Sequence, residues 1–427
     1  MSKPITATAA VLIALHGLGL AADVSRGAKG GGPAAATAYW PGWLGPNRDG
    51  LSPDKGLLKQ WPEDGPSLLW KTDTLGSGWS SVAVVDGHIY TTGNRDRKQM
   101  LLCLDMKGRD VWRVQHAPEA SHHTYKAARC TPTVDGRRVF ATAGNGLVTC
   151  HDTANGKLIW QRNMEAEMGG KVGGWRYAES VLILGERAVV TPGGPNAIVA
   201  LDKATGEEAW KSDAAVTKAT YSSCITIAGR DGATLIVNGT RSGLLAVDAA
   251  TGQKVWSHPF AEHNANVPTP LYSDGYLFWA VGYGKGEICF KVGQADGKWT
   301  FEEAWSGNDF NCLLNNYVIA DGRIYGNSRG NKGLLCKDLK TGEALWILPG
   351  IPTCQVTWAD GMVYVFSDRG WATLVQPSGD QPRVTGRVEV TGDGRSWAYP
   401  VVIGGRLYLR YDTNLFCFDL REKGEMK

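Results

Sequence analysis

Apolar and polar positions along this chain alternate in short runs, and the runs are cut by Asp-Gly, Thr-Gly and Asn-Gly pairs. A period of two sends successive side chains to opposite faces, which predicts strands. The clearest stretch is 321–346. Asp321-Gly322 between two alternating apolar runs is a tight hairpin signal. The run Gly333-Leu334-Leu335-Cys336-Lys337-Asp338 follows as a strand. Asp338 is placed to accept backbone N–H groups two residues on, and Thr341-Gly342 supplies a positive-φ turn. Trp346 then falls on an outer strand, where a large ring packs against a neighbouring sheet.

The stretch recurs. Trp70, Trp112, Trp160, Trp210, Trp256, Trp305 and Trp346 follow such turns at intervals of 41 to 50 residues. Middle strands end at Cys103-Leu104-Asp105, Cys150-His151-Asp152, Ala200-Leu201-Asp202, Ala246-Val247-Asp248, Cys289-Phe290-Lys291, Cys336-Lys337-Asp338 and Cys417-Phe418-Asp419, with a degenerate copy near Val375. Eight copies of a short-stranded unit at this period predict an all-β, eight-bladed β-propeller of four-stranded antiparallel blades. The first outer strand, around Leu68-Leu69-Trp70-Lys71, has no inner strands ahead of it, and the last copy stops after three. The N-terminal strand is therefore expected to complete the last blade and close the ring.

This divides the chain into a signal peptide (1–22), a Gly/Ala-rich linker (23–38), a Trp/Pro/Gly-rich lead segment (39–66) and the propeller (67–427). The leader has Lys3, an apolar run from Ile5 to Leu20, and Gly19-Leu20-Ala21 before Ala22-Asp23. It is too short and too interrupted for a membrane span, so an exported protein, periplasmic or extracellular, is expected. The lead segment is expected to lie as an aromatic arm on the propeller's flank.

Register then selects candidate site residues. Inner strands begin near Ser81, Cys130, Ser180, Ser223, Thr269, Asn316, Gln355 and Tyr399, five positions before the hairpin turn or its equivalent. A mostly polar ring is thus expected at the channel mouth, preceded by Trp79, Arg129, Glu179, Asn315 and Trp397. Arg129 and Glu179 take equivalent places before adjacent strands and are expected within reach of each other. The long loops fall on this same face. Loop 115–128 carries His116, His122, His123, Tyr125 and Lys126; loop 165–178 carries Lys171, Trp175, Arg176 and Tyr177. Loop 258–267 carries His263, Asn264 and Asn266, and loop 306–311 carries Asp309 and Asn311. Loops on a rigid scaffold are where function concentrates. The expected ligand-binding rim is Trp79, His123, Arg129, Trp175, Arg176, Glu179, Asn266, Asn315, Asn316, Gln355, Trp397 and Tyr399.

Composition changes this picture in two places. A net charge of +3 with no long basic run argues against nucleic acid as a partner. Five of the nine cysteines share one middle-strand slot that other copies fill with Ala200 and Ala246, so they read as small core side chains rather than disulfides. No cysteine precedes Cys103 to take an N-terminal lipid anchor. Gly326-Asn327-Ser328-Arg329-Gly330 matches a nucleophile-elbow string, but a strand follows it where an elbow needs a helix. His122-His123 has no spaced third ligand for a metal and reads as a surface pair.

Runs such as Ala200-Leu201-Asp202-Lys203-Ala204-Thr205-Gly206-Glu207-Glu208-Ala209-Trp210 resemble the repeat of pyrroloquinoline-quinone enzymes, over about residues 67–420. The resemblance implies a propeller shared by quinoprotein alcohol dehydrogenases and non-enzymatic scaffolds such as the propeller lipoprotein of outer-membrane barrel assembly. The lead Trp40–Asp49 region is similar to that of secreted propellers of this superfamily. The dehydrogenases' vicinal cysteine pair is missing, since no two cysteines are adjacent. Their calcium set of Glu, Asn and Asp has only Glu179, Asn266 and Asp309 as imitators. The reading is an exported binding or scaffold propeller whose long-loop face takes a protein, peptide or glycan, with no catalytic residue assigned. The alternative is a pyrroloquinoline-quinone- and calcium-dependent oxidoreductase acting on alcohols or sugars.

Overall fold

Why the repeat makes blades is visible in its turns. In the computed structural model, Asp86-Gly87, Asp274-Gly275, Asp321-Gly322 and Asp360-Gly361 all have both residues at positive φ, the hairpin conformation that matches strand twist. Asp338 Oδ1 accepts the Lys340 and Thr341 N–H groups at 2.9 and 2.8 Å. The structure describes residues 38–120, 127–314, 317–379 and 381–422. The leader, nearly all of the linker, His122, His123, Tyr125, Lys126, Asn315 and Asn316 lie outside them.

Eight antiparallel sheets form blades 1 (83–118), 2 (133–163), 3 (182–211), 4 (225–259), 5 (271–307), 6 (318–348), 7 (354–389) and 8 (401–419). The fourth strand of blade 8 is Ser67–Thr72, whose Ser67 pairs with Asp419 and Thr72 with Leu415. The N-terminal strand closes the ring as expected. Arg410 locks the seam between blades 8 and 1. Buried, it donates to the carbonyls of Gly76, Ser80, Thr92 and Asp412 and to the hydroxyls of Ser80 and Thr91.

Five of the seven repeat tryptophans clasp their blade to the next. The indole N–H of Trp70, Trp112, Trp160, Trp210 and Trp305 donates to Met106, Thr153, Lys203, Ala249 and Leu339 of the following blade. Each ring lies over that blade's turn glycine. A Cβ on Gly108, Gly156, Gly206, Gly252 or Gly342 would sit 2.4–2.7 Å from ring carbon, which is why the turn keeps glycine. Trp256 and Trp346 break the pattern: Trp256 stacks on Phe301 at 4.1 Å, and Trp346 packs on Tyr325 of its own blade at 5.8 Å. All nine cysteines are buried free thiols.

A second belt runs along the channel from blade 8 through blades 1 to 5. Ser81 N–H donates to Thr131 Oγ1, Thr131 to Ser180 Oγ, Ser180 to Ser223 Oγ and Ser223 to Thr269 Oγ1, at 2.9–3.3 Å. Ser81 Oγ donates back to the Tyr399 carbonyl at 2.7 Å, across the seam. The described part of the polar ring expected at the mouth is therefore structural, its hydroxyl oxygens accepting N–H groups of neighbouring blades.

The lead segment lies on the flank only in its second part, where Trp61 N–H donates to the Thr385 carbonyl of the outermost strand of blade 7 and Leu57 and Trp61 are buried. Residues 40–52 instead cross the turn-bearing face and enter the channel axis. Trp40 bridges Val84 of blade 1, the Pro41 carbonyl accepts Val134 N–H of blade 2, and Arg48 donates to Ser180 and Val181 of blade 3. Leu44 packs with Leu271, Phe310 and Ile319. Leu51–Ser52 then pairs in parallel with the innermost strand of blade 7. The segment is a plug, and it closes one mouth.

Candidate functional site

The belt fixes which side chains reach the open mouth. Side chains two residues apart on extended backbone share a face. The residue two before each belt position lines the open half of the channel: Trp79, Arg129, Ala178, Tyr221, Val267 and Trp397. Trp175, Tyr283, Leu314 and Tyr399 add to the wall, and Trp43 of the plug reaches in from below. The result is a solvent-open funnel of about 930 Å³. Trp43 lines this funnel and also the shallow recess behind the plug, so one indole is the partition. It is held by Thr269 Oγ1 at 3.3 Å from Nε1 and by the edge of Tyr399 at 4.5 Å.

Seven aromatic rings form the wall. Trp79 and Trp397 meet at 4.4 Å and 53°, and Trp175 and Tyr221 at 5.9 Å and 55°. The Trp175 N–H donates to Tyr221 Oη at 2.8 Å. Tyr283, exposed at the rim, holds a left-handed φ of 59°, a costly conformation for a bulky residue, and His263 stacks on it at 4.1 Å. Arg129 is the one charged side chain of the lining among the described residues. Its guanidinium lies 5.7 Å from the Trp79 ring and donates to the Trp175 carbonyl. Arg395 sits over Trp397 at 5.6 Å. Burial, then the charges of Lys285 and Arg241, lower the His263 pKa.

Of the expected rim, Trp79, Arg129, Trp175, Trp397 and Tyr399 come together here. The others do not. Glu179 is one residue before its belt serine, while Arg129 is two before Thr131, the true belt residue of blade 2. The one-residue slip turns Glu179 to the opposite face. Fully buried, its carboxylate accepts the Thr191 N–H at 2.7 Å and the Thr191 hydroxyl, and burial raises its pKa to about 7. The expected approach of Arg129 to Glu179 is not made. The buried Asn266 amide donates to the Thr240, Arg241 and Ala261 carbonyls. Gln355, also buried, donates to the Leu314 carbonyl. Arg176 turns toward Glu165 at 3.8 Å.

Asp309 pairs with Lys337 at 2.8 Å, beside Glu287, whose carboxylate accepts the Asp309 and Phe310 N–H groups. Glu179, Asn266 and Asp309 thus hold three separate sets of partners, and none lines the funnel. Among the described residues the wall offers hydroxyls and a guanidinium, not the carboxylates a calcium ion needs. His116, read as a loop residue, is on the outermost strand of blade 1, buried against Thr149 at 3.4 Å.

Sequence reasoning missed Trp43, Tyr221 and Tyr283. Tyr221 was within reach of the two-before rule. Trp43 was not, since nothing in the repeat says where the lead segment goes.

An eight-bladed ring with one mouth plugged and the other lined by aromatic rings defines the class: a repeat propeller with a blind axial funnel. A family model described as outer membrane protein assembly factor BamB matches residues 97–348, more than half of the chain. The chain belongs to this pyrroloquinoline-quinone-type repeat family. BamB from Moraxella catarrhalis superposes with a TM-score of 0.63 at 15% identity, covering 83% of this chain and 99% of that one. Quinohemoprotein alcohol dehydrogenase ADHIIG from Pseudomonas putida HK5 gives 0.63 at 14% identity, covering 91% and 81%. The computationally designed Ika8 protein gives 0.59 at 11%, covering 83% and 99%. At such identities the likeness is one of fold. A search of curated proteins returns no match to this chain. No helix among the described residues is long and apolar enough to cross a membrane.

Proposed function

We propose that this chain is an exported binding or scaffold propeller whose ligand seats in the blind aromatic funnel. One observation carries the reading. All the rings of the funnel but Tyr399 come from loops, strand approaches and the plug, outside the repeat positions that hold the blades together. Tyr283, held in a strained conformation at the rim, supports it, because such strain clusters at ligand sites. The family's description as an outer membrane protein assembly factor favours a place outside the cytoplasm.

The oxidoreductase alternative needs a carboxylate and an amide around calcium at the funnel. Glu179, Asn266 and Asp309 are engaged elsewhere, which favours binding over redox chemistry. The test is to incubate the purified protein with pyrroloquinoline quinone and calcium and follow quinone absorbance and dye reduction with alcohols and sugars. The binding reading expects no turnover. Quinone-dependent turnover that Trp43→Ala abolishes would replace it with the enzyme reading.

A further inference from the structure

Resting on the funnel reading, we infer that its ligand is a pyranose carrying a carboxylate, a uronate or sialate terminus. Four features converge. First, the wall has one charged group, Arg129, and no carboxylate among the described residues. With Arg395 and Lys285 near the rim, this selects against a cation, although aromatic walls alone would suit one. A guanidinium pairs with a carboxylate through charge-assisted N–H donors.

Second, neighbouring rings meet at 53°, 55° and 77°. Inclined faces make a cup rather than a parallel slot. A flat aromatic acid wants two parallel faces, whereas a puckered sugar ring presents C–H groups on both sides and along its edge to inclined indoles.

Third, the remaining polar atoms suit hydroxyl and carboxylate oxygens. Tyr221 Oη accepts the Trp175 N–H and Ser223 Oγ accepts the Ser180 N–H. Each keeps its own O–H to donate. Fourth, Trp43 blocks the axis, so the funnel takes a chain end and not a threaded chain. Together these fit one terminal acidic sugar whose reducing side points to solvent.

The experiment titrates the full chain with a glucuronate-terminated disaccharide and with sialyllactose, read by intrinsic tryptophan fluorescence and calorimetry. Lactose, indole-3-carboxylate and choline are the controls. The expected result is saturable binding of an acidic sugar, at least tenfold tighter than lactose and weakened by NaCl. Arg129→Met removes that preference while Arg129→Lys retains part of it, and Trp397→Ala weakens all sugars. Melting temperatures should stay within a few degrees of wild type throughout. Equal binding of lactose and acidic sugar, or a preference unmoved by Arg129→Met, overturns the inference. Tighter binding of indole-3-carboxylate or choline, lost in Trp397→Ala, overturns the sugar class while leaving the funnel as a binding site. If no probe binds, the acidic-sugar inference falls, and the quinone experiment alone then decides the funnel's role.

Discussion

The two mouths of the axial channel are framed by the same eight innermost strands, yet one is filled and the other is left open. At the turn-bearing mouth, Trp40, Pro41 and Arg48 satisfy backbone groups of blades 1, 2 and 3, and Leu44 packs into the core of blades 5 and 6. At the loop-bearing mouth Tyr221 and Tyr399 are buried, but the indoles of Trp43, Trp79, Trp175 and Trp397 are only half-buried and Tyr283 is exposed. Burial of such rings is worth roughly 1.5–3 kcal/mol each. The open mouth forgoes part of that stabilisation at five of its seven rings. Aromatic side chains placed by the scaffold but not buried by it are the mark of a surface kept for something else.

The contrast predicts unequal costs. The largest concerns the plugged side. Deleting 39–75 removes the plug and the strand that closes blade 8, leaving two open sheet edges. Thermal melting should fall by about 10 °C or more, or the chain should fail to fold, because the closing strand and plug act with every blade they touch. A truncated protein melting within a degree or two of the parent would show that the mouths are equivalent in weight.

A smaller effect comes from Glu179, buried between the two mouths. Its pKa rises from 4.5 to about 7 on folding, chiefly through desolvation. The folded state then binds the proton more tightly than the unfolded one. Its contribution to stability is full below about pH 4.5 and declines as pH climbs toward 7. Glu179→Gln should flatten that decline, gaining up to about 3 kcal/mol at pH 8 and little at pH 4.5. Buried His116, pushed down to about 3, works in the opposite direction and loses stability as pH falls from about 6.5. Denaturant midpoints of the Gln variant across pH 4–8 separate the two. A wild-type-like slope would show that Glu179 is charged throughout.

The smallest effect belongs to the open mouth. Trp397→Ala and Tyr283→Gly should each move stability by only about 0.5–1 kcal/mol, and Tyr283→Gly in the stabilising direction, since glycine takes a φ of 59° without strain. A loss of many degrees on either substitution would make the open mouth structural.

What the sequence disclosed follows the same division. The blades were legible because their turns and clasping tryptophans recur, and the ring closure because an orphan strand at one end matched a missing one at the other. The funnel was half legible. Trp79, Trp175, Trp397 and Tyr399 stand out as aromatic residues at strand approaches. Anchoring blade 2 on Cys130 instead of Thr131 put Arg129 and Glu179 in the same register, and strand period two punishes a slip of one. The polar ring misled because hydroxyls at a channel look free in sequence, while in the structure those of Thr131, Ser180, Ser223 and Thr269 accept the backbone N–H of the preceding blade. Trp43 belongs to a segment without a repeat, and only packing with Thr269 and Tyr399 gives it a place.

The nine buried thiols make unfolding a chemical risk as well as a conformational one. Desolvation holds Cys130 at about 11 and Cys103, Cys150 and Cys336 at about 12, so the thiolate that oxidants attack is nearly unpopulated near neutrality. Once the ring opens, those groups return to about 8.5 and meet one another in solution. In an oxidising medium they would cross-link in combinations the blades cannot accommodate. Survival there is then set by how rarely the ring opens, a rate rather than an equilibrium, and refolding would require a reductant the native protein never needs.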